Sequence, residues 1–421
     1  MRCLQASHPC AIFRVVEQLR HPKDILISSF TNLGLNSALL RALEKLGFTE
    51  ETPVQRLAIP PAIAGRDVLA TAPTGSGKSA AFGLPLLEAL LQQPLGKTRA
   101  LVLVPTRELA QQVAAHITEL AAFTKIRVAV IHGGVGMQPQ IQAFRSGTEI
   151  IVATPGRLID LMMQREARLG DVRYLVLDEA DRMLDMGFLP AVRRIIGRLP
   201  ERQTLFFSAT LAGDAGTLSR ELLNDPVRIN LTQNAGTVET ISQSVYAIEQ
   251  HKKTELLVDL LKGNTIYSAI VFTRTKARAD RVANALMKHN VKTELIHGDR
   301  SQAQRTRALE SFKRGKSRVL VATDIAARGI DILDLGHVIN YDVPAEASDY
   351  VHRVGRTARM EKPGDAITFV SFEEAELFGS IERIIGKRLE RTPHPLADAA
   401  TGTKLQAPSV ARRRTFQRRR R

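Results

Sequence analysis

This 421-residue sequence has no tryptophan, and aromatic residues make up only 5% of it. A surface that holds nucleobases by stacking needs aromatic side chains, so that mode of recognition has little to draw on here. There are two cysteines, Cys3 and Cys10, both within the first ten residues. That excludes a disulfide framework or a cysteine-based zinc cluster and predicts a reducing, cytoplasmic setting. No apolar run approaches the roughly 18 residues that a membrane-crossing helix needs, so no membrane partner is expected. Residues 1–28 do not read as a secretory leader, because Arg14, Glu17, Arg20, Lys23 and Asp24 interrupt every apolar stretch. They are expected to form an extension outside the fold. Acidic residues are also in short supply: 43 Asp and Glu stand against 59 Lys and Arg, a net charge of +16. That excess predicts a polyanionic partner, with nucleic acid ahead of an anionic lipid surface.

What is present has the composition of a globular protein, with 44% hydrophobic and 24% charged residues. Short apolar runs alternate with segments of helical period from about 65 to 210. "DVLATA", "ALVLVPT", "RVAVIHG", "EIIVATP", "YLVLDEA" and "TLFFSAT" are the expected strands. Such alternation predicts a doubly wound parallel α/β sheet, which binds ligands at the carboxyl ends of its strands. The pattern pauses in the polar, aperiodic stretch Asn224–Thr240 and resumes with "SAIVFTRT", "KTELIHGD", "RVLVATD", "HVINYDVP" and "DAITFVSF". The expected organisation is an extension at 1–28, a first α/β domain at 29–227, a linker at 228–240, a second α/β domain at 241–390 and an Arg-rich tail at 391–421. The tail holds nine basic residues and one acidic, and ends "RRRTFQRRRR", too polar to fold by itself.

"ATAPTGSGKSAAF" follows a strand and opens a helix. Gly75 and Gly77 let the backbone curl so that its N–H groups face phosphate oxygens, with the helix N-terminus behind them. In such a loop Lys78 reaches the β- and γ-phosphates and the Ser79 hydroxyl ligates Mg²⁺; Ala72 stands where the full phosphate-loop pattern begins with Gly. "YLVLDEADRML" runs a buried strand straight into Asp178, Glu179 and Asp181, which repel one another and lose hydration. A divalent cation held between a triphosphate and Asp178 resolves that conflict, and Glu179 is then placed to orient and deprotonate the attacking water.

Together with "SAT" at Ser208–Thr210 and "HRVGRTAR" at His352–Arg359, these stretches resemble the DEAD-box RNA helicases over roughly residues 30–388. "DEADRMLDMGF" and "VFTRTK" are similar to the bacterial RhlE-like subgroup. The resemblance implies two RecA-like domains that bind ATP, Mg²⁺ and RNA and unwind RNA without regard to sequence. It implies that Phe30 stacks on adenine and Gln55 reads its edge, that Ala72, Thr74, Gly75, Ser76, Gly77, Lys78 and Ser79 cradle the phosphates, and that Asp331 contacts the ribose. His352, Arg356 and Arg359 would join the γ-phosphate site from the second half, and Asp181 would couple hydrolysis to movement through the Ser208 and Thr210 hydroxyls. Pro105, Thr106, Arg107, Gly133, Gly134, Thr154, Pro155, Gly156 and Arg157 in the first half, with Gln302, Arg305 and Thr323 in the second, would hold RNA. These groups suit phosphates and sugars rather than bases. Ribosome assembly and RNA decay are both compatible, with proteins of those machineries as partners. Two other readings fit the same plan: an ATP-dependent clamp that grips RNA without unwinding it, and a DNA translocase. Intact Glu179, Arg356 and Arg359 weigh against the clamp.

Overall fold

A computed structural model describes residues 28–73, 75–231, 241–263, 265–324, 335–355, 357 and 364–397, with the backbone alone at 28, 29, 347, 348, 352 and 384. The expected extension and most of the expected tail and linker lie outside the described residues. The first half builds a seven-stranded sheet from β1 (Val68–Thr71), β2 (Ala100–Leu103), β3 (Val128–Ile131), β4 (Ile150–Ala153), β5 (Tyr174–Leu177), β6 (Gln203–Ser208) and β7 (Val227–Asn230), in the order β3-β4-β2-β5-β6-β1-β7. The second half builds a six-stranded sheet from β8 (Ile241–Ala247), β9 (Ala269–Thr273), β10 (Thr293–Ile296), β11 (Val319–Thr323), β12 (His337–Asn340) and β13 (Gly364–Val370), in the order β10-β11-β9-β12-β13-β8. Every paired neighbour is parallel.

The central strands read as unbroken apolar runs because helices cover both faces of each sheet. Alternate residues of one strand enter different cores. Val68, Ala70, Val102, Val176, Leu205 and Phe207 pack on one side of the first sheet, and Leu69, Leu101, Leu103, Leu175, Leu177 and Phe206 on the other. Phe207 meets Phe82 edge-on at 5.4 Å, which ties the helix Lys78–Leu91 to the sheet.

Three departures from the sequence reading concern edges. Val227–Asn230, which runs from the end of the expected first domain into the expected linker, is an edge strand paired with β1. The Asp67 carboxylate fixes its approach by accepting from Thr204 N (2.7 Å) and Asn224 N (2.8 Å). The edge strand β8 was not anticipated, because Ser242, Gln243 and Ser244 interrupt its apolar pattern. Finally, residues 391–397 belong to the folded part rather than to the tail. Thr392 N donates to Val245 O (2.7 Å), Arg391 pairs with Glu382 (2.9 Å) over the Phe378 ring, and His394 sets its ring against Tyr246. These contacts bring a basic segment onto the β8 edge, which a count of charges does not reveal.

Candidate functional site

The phosphate loop leaves β1 at Thr71 and enters the helix Lys78–Leu91 at Gly77. Gly75 (φ 83°) and Gly77 (φ 92°) are both in the left-handed region, where a side chain is strained. A Cβ on Gly77 would also stand 2.9 Å from Thr52 Oγ1. Lys78 is buried, and its ammonium donates back to the loop carbonyl Ala72 O (2.9 Å), with Pro73 O at 3.4 Å. The Ser76 hydroxyl is buried without a partner. Thr74 lies outside the described residues.

Gln55 and Phe30 stand differently from the expectation. Gln55 is 1% exposed, accepts from Thr52 N (2.9 Å) and donates to Gly77 O (3.1 Å). It ties the phosphate loop to the start of the helix Pro53–Ile63, a structural duty that its motif did not suggest. Phe30 is 2% exposed and packs edge-to-face on Phe48 at 6.1 Å, so the ring serves the core and has no open face for a base.

The acidic cluster sits beside the loop, at the ends of β5 and β6. Burial pushes the Asp178 carboxyl up to about 6; Lys78 opposes this, while Glu179 and Asp181 add to it. Glu179 is held in a left-handed conformation (φ 50°, ψ 48°), an arrangement that costs a non-glycine residue about 1–2 kcal/mol. Its Oε2 accepts from Arg182 Nη1 at 2.9 Å, with both side chains buried. Arg182 was missed in the sequence, although its three-residue spacing from Glu179 along a helix is a legible signal. The Asp181 carboxylate accepts from Ala209 N (3.2 Å) and Thr210 N (3.0 Å), and Asp181 N donates to Ser208 Oγ (3.4 Å). The link to Ser208–Thr210 thus runs through main-chain N–H groups and one hydroxyl. The Thr210 hydroxyl instead accepts from Ala212 N.

These donors fit a nucleotide triphosphate with a hard cation. An ammonium and left-handed glycines face one side, and a buried carboxyl that resists ionisation faces the other. Among the described residues no cluster of three or more acidic, His or Cys side chains forms a ready-made metal cage. A cation held mainly by phosphates and water needs only one or two carboxylates.

A second feature is a cavity of about 460 Å³ lined by Pro105, Thr106, Arg107, Glu108, Gly133, Thr154, Gly156, Arg157, Asp160, Met186, Phe188, Gly298 and Arg305. Eight of the residues expected to hold RNA meet here, and two lining residues come from the second half. Thr106 caps the helix Arg107–Leu120 by accepting from Leu109 N. Arg107 lays its guanidinium against Gly133 and Gly134, where any Cβ would crowd it. Pro155 opens the helix Pro155–Met163 and Arg157 Nη1 donates to Val135 O (3.2 Å). The Nε atoms of Arg157 and Arg305 are buried without hydrogen-bond partners, Arg157 Nε lying 4.0 Å from Asp160 Oδ2.

Gln302 is not on the lining. Its Nε2 donates to Glu108 Oε1 (3.0 Å), and Arg305 Nη2 reaches the same oxygen (3.0 Å), across 194 and 197 positions of chain. Glu108, read in the sequence as a first-turn helix acid, carries the hydrogen-bonded link between the two halves among the described residues. Thr323 ends β11 and is buried. Asp331, Arg356 and Arg359 lie outside the described residues, as does the His352 side chain.

The comparisons with known proteins agree with this geometry. Residues 52–217 match the DEAD/DEAH box helicase family and 252–361 the helicase conserved C-terminal domain. The chain is 41% identical over 375 residues to the DEAD-box ATP-dependent RNA helicase CshA of Geobacillus kaustophilus, covering 89% of this chain and 80% of that protein. The CshA of Bacillus subtilis is 40% identical over 388 residues, 92% of this chain and 78% of that one. Among solved structures, S. cerevisiae Dbp5 bound to RNA and ADP BeF3 superposes with a TM-score of 0.79 at 30% identity, covering 90% of this chain and all of that one. Mss116p bound to single-stranded RNA and AMP-PNP gives 0.79 at 27% identity, covering 93% and 84%. With both family domains in order, and the phosphate loop, acidic cluster and two-sided cavity in place, the chain belongs to the DEAD-box ATP-dependent RNA helicases.

Proposed function

We propose that this chain couples ATP binding and hydrolysis to local, sequence-independent opening of RNA duplexes, with its two halves closed over the nucleotide on one side and an RNA strand on the other. The observation that carries this reading is the Glu108 link, which assembles one cavity from both halves at the strand ends that also bear the phosphate loop. Each ligand that bridges the halves favours the closed arrangement, so RNA stimulates hydrolysis.

In this reading Lys78 leaves its loop carbonyls for the β- and γ-phosphates, and Ser79 and Asp178 hold Mg²⁺. The bound cation supplies charge neutralisation across the phosphates. Glu179, aimed by Arg182, orients the water and takes its proton. Arg356, Arg359 and His352 complete the γ-phosphate site from the second half, and Asp331 meets the ribose. Asp181 senses the cluster and passes its state to the Ser208–Thr210 turn. Arg107, Arg157, Arg305 and the glycine N–H groups bind RNA phosphates and sugars, which accounts for indifference to base sequence.

ATP hydrolysis measured at fixed salt with no polymer, single-stranded RNA, duplex RNA and matching DNA tests this. RNA is expected to stimulate turnover at least about tenfold and DNA not to, with short duplexes unwound in the same conditions. Equal stimulation by DNA would transfer the reading to a DNA translocase, and ATP-dependent gripping of RNA without turnover to a clamp.

The segment 398–421 carries eight basic residues and one acidic. A truncation after Ala397 spares the packed residues 391–397, and is expected to raise the RNA half-saturation concentration while leaving RNA-saturated turnover nearly unchanged. The difference between the two proteins should shrink as salt rises, because counterion release drives that part of the binding. A collapse of saturated turnover would show that the tail does more than tether RNA.

A further inference from the structure

The loop 132–136 joins β3 to the helix Gln138–Arg145 and places Gly133 on the cavity wall, with Gly134 next to it in the chain. Its main-chain carbonyls are tied back by side chains from three directions. Gln140 Nε2 donates to His132 O (3.1 Å) and Gly136 O (3.0 Å). The His132 ring reaches Gly133 O through Nδ1 (2.8 Å), and Arg157 Nη1 takes Val135 O (3.2 Å). A carbonyl can only accept, so the His132 proton sits on Nδ1, and Nε2 accepts from Gln111 Nε2 (3.2 Å). Among the described contacts the N–H groups of Gly133, Gly134 and Gly136 have no acceptor, while that of Val135 closes a turn toward His132 O; Gly134, Val135 and Gly136 are exposed.

Gln140 itself is 5% exposed and also accepts from His132 N through Oε1 (3.1 Å). Its partners are thus one N–H and two carbonyls. A primary amide is the side chain that offers one acceptor oxygen and two N–H donors from a single planar group. Glutamate, the same size, would set an oxygen against two carbonyl oxygens.

We propose that Gln140, assisted by His132, is a positioning residue for RNA: it pulls the loop's carbonyls inward and so presents the N–H groups of Gly133, Gly134 and Gly136 to an RNA phosphate. This rests on the reading of the cavity as the RNA site. A loop whose acceptors are already occupied meets an anion with donors alone, and a pre-set loop spends no ordering entropy on binding. Gln140 touches neither the nucleotide loop nor the acidic cluster, so its effect separates from catalysis.

The test measures affinity for a single-stranded RNA in the presence of a non-hydrolysable ATP analogue, RNA half-saturation and RNA-saturated kcat, all with the full chain. Gln140→Met keeps the volume and loses every hydrogen bond; Gln140→Glu keeps only the acceptor. Affinity is expected to fall about threefold to tenfold in Gln140→Met and further in Gln140→Glu, with nucleotide affinity and saturated kcat within about twofold of wild type. His132→Ala is expected to weaken RNA as well, and His132→Asn, whose amide N–H reaches the place of Nδ1, to recover most of the loss. This second pair carries the test if the Gln140 variants do not fold. Wild-type RNA affinity in folded Gln140→Met and Gln140→Glu overturns the proposal, as does an equal loss of nucleotide affinity. Arg157→Ala separates the two levels. If it leaves RNA binding intact, the cavity is not the RNA site; if it weakens binding while the Gln140 variants do not, only the role of Gln140 fails.

Discussion

Glu179→Gln is expected to lower RNA-stimulated ATP hydrolysis by about 10²–10⁴-fold, while nucleotide and RNA binding stay within a few fold of wild type. The substitution keeps the side-chain length, and the amide oxygen still accepts from Arg182, whose guanidinium holds the present carboxylate at 2.9 Å. The left-handed backbone at residue 179 is equally open to Gln, so the local fold survives. What disappears is the group that takes a proton from the attacking water. Phosphate release at saturating RNA, set beside RNA retention with an ATP analogue, decides the matter. Retained hydrolysis would remove Glu179 from the mechanism and return the acidic cluster to a purely electrostatic role.

Glu374→Ala is expected to cost about 3–5 kcal/mol of stability, the largest loss foreseen for any single side chain outside the catalytic cluster. Lys253 is 0% exposed, and its ammonium is held by Glu374 Oε2 (2.5 Å), by Tyr341 O (2.9 Å) and, farther off, by Asp342 (3.8 Å). Burial pulls the Lys253 ammonium's pKa down, against the pull of Glu374 and Asp342. Glu374 also accepts from Arg274 Nη2, Val343 N and Ser371 N. Truncating it leaves a charge in an apolar interior with its main counter-ion gone, together with two orphaned main-chain donors, Val343 N and Ser371 N. Lys253→Met is expected to cost much less, because Glu374 keeps Arg274 and two N–H groups, and Asp342 keeps Arg278 at 2.6 Å. Urea unfolding of the two variants checks the asymmetry. Equal losses would mean that packing around the lysine stem, rather than the stranded charge, sets the energy.

The parts of the site made by one short stretch were legible in advance. The phosphate loop needs glycines in a left-handed conformation directly before Lys78, and sequence adjacency supplies both. The crowded Asp178, Glu179 and Asp181 raised the question of a positive counterpart, and the phosphate loop nearby in the pattern answered it. Arg182 could have been added from its helical spacing. The contacts of Gln55 and Phe30 within the fold were not legible, because a motif names a residue type, while burial decides what its atoms touch. At Thr210 the expectation identified the right residue but the wrong group, since a hydroxyl and a main-chain N–H are equivalent in a one-letter code.

The sequence by itself determined the α/β class, the placement of eleven of the thirteen strands among the described residues, the nucleotide loop and the basic character that calls for a polyanionic partner. Each of these follows from local periodicity, from glycine's conformational freedom or from summed charge. Only the tertiary structure decided that Glu108 joins Gln302 and Arg305 across nearly 200 residues of chain, that β7 and β8 close the sheet edges, and that Gln140 sets the glycine loop. Those are pairings between distant segments, where one polar side chain looks like another until the fold presents it with a specific donor or acceptor. Burial then makes the pairing matter, because a polar group removed from water must find its partner inside the protein.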